Sequence, residues 1–170
     1  AEPLPGQTAV VSACTGPVGS TAGQVARQMG ARVVGIAGSA EKCDYAVREL
    51  GFAACVNYKD GDLAANLKDA CPRGIDVYFD NVGGDHLDAA FALARDYARF
   101  AICGMIDKYN EADQGHEFKY ILRSIPARIN MRGFIFTDYA EFMPEFLAEV
   151  APLVLSGDMK MQETVHEGLD

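Results

Sequence analysis

One feature constrains this chain more than any other: short runs of β-branched and apolar residues alternate with longer stretches of helix formers. Thr8-Ala9-Val10-Val11-Ser12-Ala13 reads as a strand, and Val18 to Met29 as the helix after it. Ala31 to Ala37 is the next expected strand, then Ala40 to Leu50 a helix ended by Gly51 at a C′ position. Ala54 to Tyr58 reads as a short third strand, and Leu63 to Ala70 as a helix stopped by Pro72. Ile75 to Asp80 is a fourth strand, Asp85 to Asp96 a helix, and Arg99 to Cys103 a fifth strand. Gly104 to Gly115 is polar and irregular, as a long functional loop would be. Beyond it the pattern predicts a helix over Phe118–Ile125, a sixth strand over Ile129–Thr137 and an amphipathic helix over Glu141–Leu155. Met161 to Glu167 is either one more strand or an extended tail. Alternation at this spacing forces right-handed crossovers through helices, so the strands must run parallel. The expected fold is α/β: a doubly wound, parallel six-stranded sheet covered by helices on both faces.

Composition narrows the possible partners. With about 150 residues to a domain, 170 residues make a single domain, with no repeat, low-complexity tract or linker inside it. Fifteen basic residues against 24 acidic ones give a net charge of −9, which argues against nucleic acid or an anionic membrane as a general partner. A small local anion site remains compatible with that charge. No apolar stretch approaches the ~18 residues of a membrane span, and Ala1-Glu2-Pro3-Leu4-Pro5-Gly6 has neither part of a signal peptide. The five cysteines, Cys14, Cys43, Cys55, Cys71 and Cys103, form no C-x-x-C pair, so free thiols in a reducing, cytoplasmic compartment are expected. His86, His116 and His166 lie far apart with no second ligand at metal-site spacing, so no metal site is expected.

The first strand runs into Ser12-Ala13-Cys14-Thr15-Gly16-Pro17-Val18-Gly19, and a helix opens at once. Gly16 and Gly19 occupy the second and third positions of the dinucleotide-binding glycine fingerprint, while Cys14 replaces the first. Free N–H groups at such a helix start, with the positive end of its dipole, would receive phosphates. Pro17 removes only a donor that has no intrahelical partner. A tight structural turn would use the same residues, but its place in the first strand–helix unit favours phosphate binding. The short-chain dehydrogenase pattern fails, because Ser20 and Ala22 stand where it needs glycines. Its Tyr-x-x-x-Lys pair fails too: four residues after each tyrosine come Glu49, Asp62, Val82, Ala101, Asp113, Ser124 and Met143.

An NAD site places an acid at the tip of the second strand to hold the ribose hydroxyls. Here that tip is Ile36-Ala37-Gly38-Ser39, and Lys42 follows on the next helix beside Glu41. A lysine at this point can pair with a 2′-phosphate, although a helix lysine is more often just solvated.

Three further words complete a pattern: Val33 to Cys43, Ile75 to Gly84 and Cys103 to Asn110. Together with the glycine turn they resemble the zinc-independent medium-chain reductases of the prostaglandin, 2-alkenal and curcumin reductase group, over nearly the whole chain. That resemblance implies reduction of the C=C bond of α,β-unsaturated aldehydes and ketones with NADPH. It implies that Gly16, Pro17, Val18 and Gly19 lie along the pyrophosphate, and that Lys42 and Tyr58 bind the 2′-phosphate end. Asn81 would face the cofactor, Cys103, Gly104, Met105, Ile106 and Tyr109 would line its nicotinamide half, and Phe134, Ile135 and Phe136 would flank the nicotinamide. Asp107 departs from the group's serine and Cys14 from its alanine.

The bland readings are a tight turn for Asn81 and Gly83-Gly84, a sheet-edge cap for Tyr58 and a surface loop for Tyr109. Their joint position at strand carboxyl ends favours the cofactor. Hydride transfer needs a donor for the enolate oxygen that develops, and the Tyr109 phenol, protonated at neutral pH, is the candidate for that donor or for a proton relay. Residues 1–170 match only the cofactor-binding unit of such enzymes, so the GroES-like catalytic domain is expected elsewhere in a longer polypeptide, with a homodimer formed through the Ile129–Thr137 strand. Two other classes share the fold. A stand-alone dinucleotide sensor would bind cofactor tightly without hydride chemistry, and a methyltransferase would need an acid where Gly38-Ser39 stands. A quinone reductase of the same superfamily is the nearest enzymatic alternative.

Overall fold

The computed structural model describes residues 1–106, 115–162 and 168. Strands β1 (Thr8–Val11), β2 (Arg32–Ala37), β3 (Ala54–Asn57), β4 (Ile75–Asp80), β5 (Ala94–Ile102) and β6 (Asn130–Gly133) form one sheet in the order β3-β2-β1-β4-β5-β6. Every pairing is parallel. The crossovers run through α1 (Pro17–Gln28), α2 (Ala40–Arg48), α3 (Leu63–Ala70) and α4 (Gly84–Leu93), and α5 (Met143–Ser156) follows β6. The strand order reverses between β1 and β4, which opens a crevice at their carboxyl ends.

Buried side chains alternate along each strand because successive residues point to opposite faces. Val10, Val34, Ile36, Val56, Tyr78 and Phe100 meet Leu67 of α3 and Phe91 of α4 on one side. Ala9, Val11, Val33 and Val77 meet Ala26 of α1, Ala46 of α2 and Phe52 on the other. At the amino ends of the strands, Asp76 clamps two neighbours. Its carboxylate accepts from the Thr8 N–H at 2.9 Å and pairs with Arg95 at 3.0 Å.

Local chemistry explains the helix ends. Ser39 caps α2 by accepting from the Lys42 N–H, and Asp62 caps α3 by accepting from the Ala64 and Ala65 N–H groups. Gly157, at φ +81°, closes α5 in the left-handed conformation.

Three sequence expectations need correction. Ala94, Arg95 and Asp96 belong to β5 rather than to the preceding helix, and the β4–β5 register shifts between Ile75 and Val77 to admit them. The helix expected over Phe118–Ile125 is a single 3-10 turn, Ile121–Ser124. The sixth strand is four residues long and gives way to a 3-10 segment at Phe136–Phe142. Helix α5 forms as expected, but its apolar residues pack into no core: none of its residues is buried. The chain beyond it returns to α1, where the Gln24 side chain donates to the Lys160 carbonyl at 2.9 Å and accepts from its N–H at 2.7 Å. The possible last strand lies mostly outside the described residues, and Met161 and Gln162 have no regular structure.

Leu67 is fully buried between α3 and the sheet. Leu67→Ala should lower stability by about 2–5 kcal/mol, measured by urea unfolding as a lower midpoint at an unchanged slope.

Candidate functional site

The turn from β1 into α1 is shaped by how closely the helix approaches it. A Cβ at Gly19 would stand 2.4 Å from the Ala13 carbonyl oxygen, so the backbone itself excludes any larger residue. Ala13 adopts φ +46° to swing the chain round. Gly16 is the N-cap, Pro17 opens the helix, and no side chain caps it. The first-turn amides are therefore offered to whatever lies beyond the strand ends.

A hydrogen-bonded knot ties this turn to β4. Asp80, fully buried, uses one carboxylate oxygen to accept from Ser12 Oγ and the Tyr78 hydroxyl at 2.9 Å, and from the Val82 and Gly83 N–H groups at 3.0 Å. Its other oxygen is buried with no hydrogen-bond partner among the described residues. Ser12 also accepts from the Asn81 N–H at 2.7 Å, and the Asn81 side-chain amide donates to the Ser12 carbonyl at 2.8 Å. The same strand end fixes the chain after β5, because the Asp80 carbonyl accepts from the Cys103 and Gly104 N–H groups. Burial, with the Asp80 charge beside it, pushes the Tyr78 hydroxyl well above its ordinary range, so it stays a donor.

A cleft of about 440 Å³ opens above this knot, and Gly16, Lys42, Tyr58 and Ile106 all line it. Pro17 and Val18 sit in the first turn of α1, with Val18 exposed, and Gly19 is buried beneath them. Asn81 is buried, with its side-chain amide engaged in the knot. Cys103 and Gly104 are half-buried where β5 ends, and Met105 lies over Gly83, where an added Cβ would meet its side chain at 3.1 Å. Phe134 is not in this cleft. It lines a separate one of about 450 Å³ on the sheet face, with Phe79 and Tyr139. Ile135 and Phe136 are exposed beside it. Tyr109 and Asp107 lie outside the described residues.

Two cleft residues escaped the sequence reading as site residues. Lys59, in Asn57-Tyr58-Lys59, holds its ammonium 5.7 Å from the Tyr58 ring centroid. His86, in the first turn of α4, has its ring centroid 4.9 Å from that of Tyr58. Lys59 could have been found, since it follows a strand's carboxyl end. His86 could not, because nothing in Gly84-Asp85-His86-Leu87 sets its packing.

The thiols near the cleft are packing groups. Cys14 Sγ lies 3.7 Å from Cys55 Sγ, above Gly35, where an added Cβ would stand 2.4 Å from the Cys14 sulfur. Burial and the neighbouring Cys55 push the Cys43 thiol up to about 12, and contact with Cys14 and burial raise Cys55 further. Burial and the Asp80 charge also raise Cys103. Thiols held protonated in this way are poor nucleophiles.

The profile of the zinc-binding dehydrogenase family matches residues 17–152. The NADPH-dependent curcumin reductase of Escherichia coli (strain K12) is 40% identical over 174 residues, 99% of this chain and 50% of that protein. The 2-alkenal reductase (NADP(+)-dependent) of Nicotiana tabacum is 44% identical over 170 residues, 99% of this chain and 49% of that protein. The crystal structure of Vibrio vulnificus CurA in complex with NADPH superposes with a TM-score of 0.88 at 41% identity, over 95% of this chain and 50% of that one. Escherichia coli quinone oxidoreductase shares the fold at 22% identity, with a TM-score of 0.78. The chain spans about half the length of the curated relatives it matches.

The knot makes a testable demand. Asp80→Ala leaves four donors without their acceptor, and a buried unsatisfied polar group costs about 1–3 kcal/mol. Asp80→Asn keeps an oxygen able to take the same bonds. Thermal unfolding should therefore rank wild type and Asp80→Asn close together and Asp80→Ala far below both.

Proposed function

The chain belongs to the zinc-binding dehydrogenase family, and on that premise we propose that it is the NADPH-binding unit of a reductase that saturates the C=C bond of α,β-unsaturated ketones and aldehydes. The observation that carries this reading is the cleft at the β1–β4 reversal, which joins the uncapped start of α1 to Lys42 and Lys59. Its residues fit a phosphorylated dinucleotide. Gly19 leaves no side chain between helix and turn, the first-turn amides are free for a pyrophosphate, and the tip of β2 carries no acid to repel a 2′-phosphate. Reductase relatives that use NADP(H), 40% and 44% identical to this chain, support the same cofactor.

When bound, the nicotinamide supplies the hydride, and the protein's share is orientation and electrostatics. Gly16, Pro17, Val18 and Gly19 hold the pyrophosphate in this reading. Lys42 pairs with the 2′-phosphate, and Lys59 adds a second cation there. Cys103 to Ile106, fixed through the Asp80 and Asn81 carbonyls, form the wall toward the nicotinamide. The motif resemblance also assigns Phe134, Ile135 and Phe136 to that end, whereas in this structure Phe134 lines the separate cleft beside Phe79 and Tyr139. Tyr109 donates to the substrate oxygen or relays the proton, a role assigned from the sequence motif alone.

The rest of the assembly belongs to the same reading. A GroES-like catalytic domain elsewhere in the polypeptide closes the substrate cleft, since the chain spans about half the length of its reductase relatives. The chemistry is zinc-independent, as the motif resemblance implies, and the compartment is the cytoplasm. A homodimer extends the sheet at β6, whose four residues are all exposed, and covers the apolar helix α5, which has no buried residue. No helix among the described residues is long and apolar enough to cross a membrane.

Calorimetric titration tests the cofactor. NADPH should bind more tightly than NADH, and Lys42→Ala should weaken NADPH about tenfold while leaving NADH unchanged. Equal loss for both cofactors would overturn the assignment of Lys42. Activity tests the division of labour: these 170 residues alone should oxidise NADPH with an enone at a small fraction of the rate of a two-domain relative. Full turnover by this chain would refute the need for a second domain.

A further inference from the structure

We propose that the opposite edge of the sheet carries a second anion site, a cavity lined by Arg73, Arg95 and Arg123 that takes a phosphomonoester. It lies at the amino ends of β4 and β5, whereas the cleft described above opens at carboxyl ends of the same sheet. The six residues of β4, at about 3.3 Å each, hold the two roughly 17–20 Å apart. They are separate sites.

The cavity measures about 470 Å³, and Gly74 and Asp96 line it with the three arginines. Gly74 keeps it open. At φ +81°, an added Cβ there would stand 2.8 Å from Arg95 Cγ and 2.9 Å from the Leu93 carbonyl oxygen, so no larger residue fits. Each guanidinium is anchored through one nitrogen. Arg73 donates to the Gly6 carbonyl at 3.1 Å, Arg123 to the Ala94 carbonyl at 3.1 Å and Arg95 to the Asp76 carboxylate at 3.0 Å. A guanidinium carries five N–H donors in a rigid fork, so one anchoring bond positions it and leaves the others for a ligand.

The adjoining corner is strained. Tyr97, at φ +63°, and Arg128, at φ +49°, both take the left-handed conformation that bulky residues avoid. The two touch: the Arg128 guanidinium lies 4.4 Å from the Tyr97 ring centroid, and it also pairs with Asp96. Strain of this kind concentrates at ligand sites.

Charge then selects the ligand. Asp96 is matched by Arg128 and Asp76 by Arg95, while Arg73 and Arg123 meet only backbone carbonyls among the described residues. The cavity is left with two unmatched positive charges in a chain of net charge −9. A carboxylate would supply one negative charge. A phosphomonoester supplies about two at neutral pH, on oxygens that suit the guanidinium fork.

Phenyl phosphate and phenyl sulfate test the site at pH 7.5, since they share a shape and differ by one negative charge. With NADPH present at saturation, phenyl phosphate should shift the Nε–Hε NMR signals of Arg73, Arg95 and Arg123 in the unaltered protein. Phenyl sulfate should bind about tenfold more weakly. Arg73→Gln and Arg123→Gln should each weaken phenyl phosphate about tenfold, and Lys42→Ala should leave it unchanged.

Displacement of phenyl phosphate by NADPH would put the ester in the other cleft and overturn the proposal. Equal affinity for the two esters, or wild-type affinity in either arginine variant, would overturn it as well. Failure of NADPH to bind bears on the proposed function alone, because the arginine signals report this cavity directly.

Discussion

A single carboxylate oxygen holds the functional end of this molecule together. Asp80 gathers donors from the turn after β1, from its own strand and from the turn that follows it, and its backbone carbonyl anchors the chain leaving β5. An isolated buried carboxylate is costly, and here four hydrogen bonds offset that cost. Ser12 and Asp80 are 68 positions apart, so the knot closes only when the two halves of the sheet meet. The crevice is therefore a product of the completed sheet, and its walls inherit the rigidity of three strands.

The division of the sheet follows from the same place. On the β3-β2-β1 side, small residues and glycines let helices and turns approach the backbone. Gly19 and Gly38 each stand where a methyl group would collide. On the β4-β5-β6 side the chain is less enclosed: β6 pairs with β5 but all four of its residues are exposed, and α5 has no buried residue. The first half encloses the cleft, and the second half leaves apolar residues uncovered among the described residues.

Much of this was legible in the sequence, for physical reasons. Leu63–Ala70 and Ile75–Asp80 were read to the residue because a proline stops the one and an apolar run marks the other. Ala94-Arg95-Asp96 misled because it continues a helix-forming stretch, and only pairing with β4 turns it into strand. The exposure of α5 was beyond reach, since an apolar stripe says that a face seeks burial and not whether a partner covers it. In the site, the glycine turn and Lys42 were readable from spacing. The Asp80–Ser12 knot and the His86–Tyr58 contact were not, because each joins residues distant in sequence through side-chain directions that periodicity does not encode.

The stack of Cys14, Gly35 and Cys55 carries a consequence for how this sequence can vary. The two thiols and the bare face of Gly35 share one fixed volume, since the space a methyl group at position 35 would need is taken by sulfur. Position 35 can grow only if position 14 shrinks, and position 55 bears on the same space. Substitution at these sites is then a correlated event. Among relatives of this chain, the residue at 14 should be statistically informative about the residue at 35, although the whole of helix α1 lies between them in the sequence.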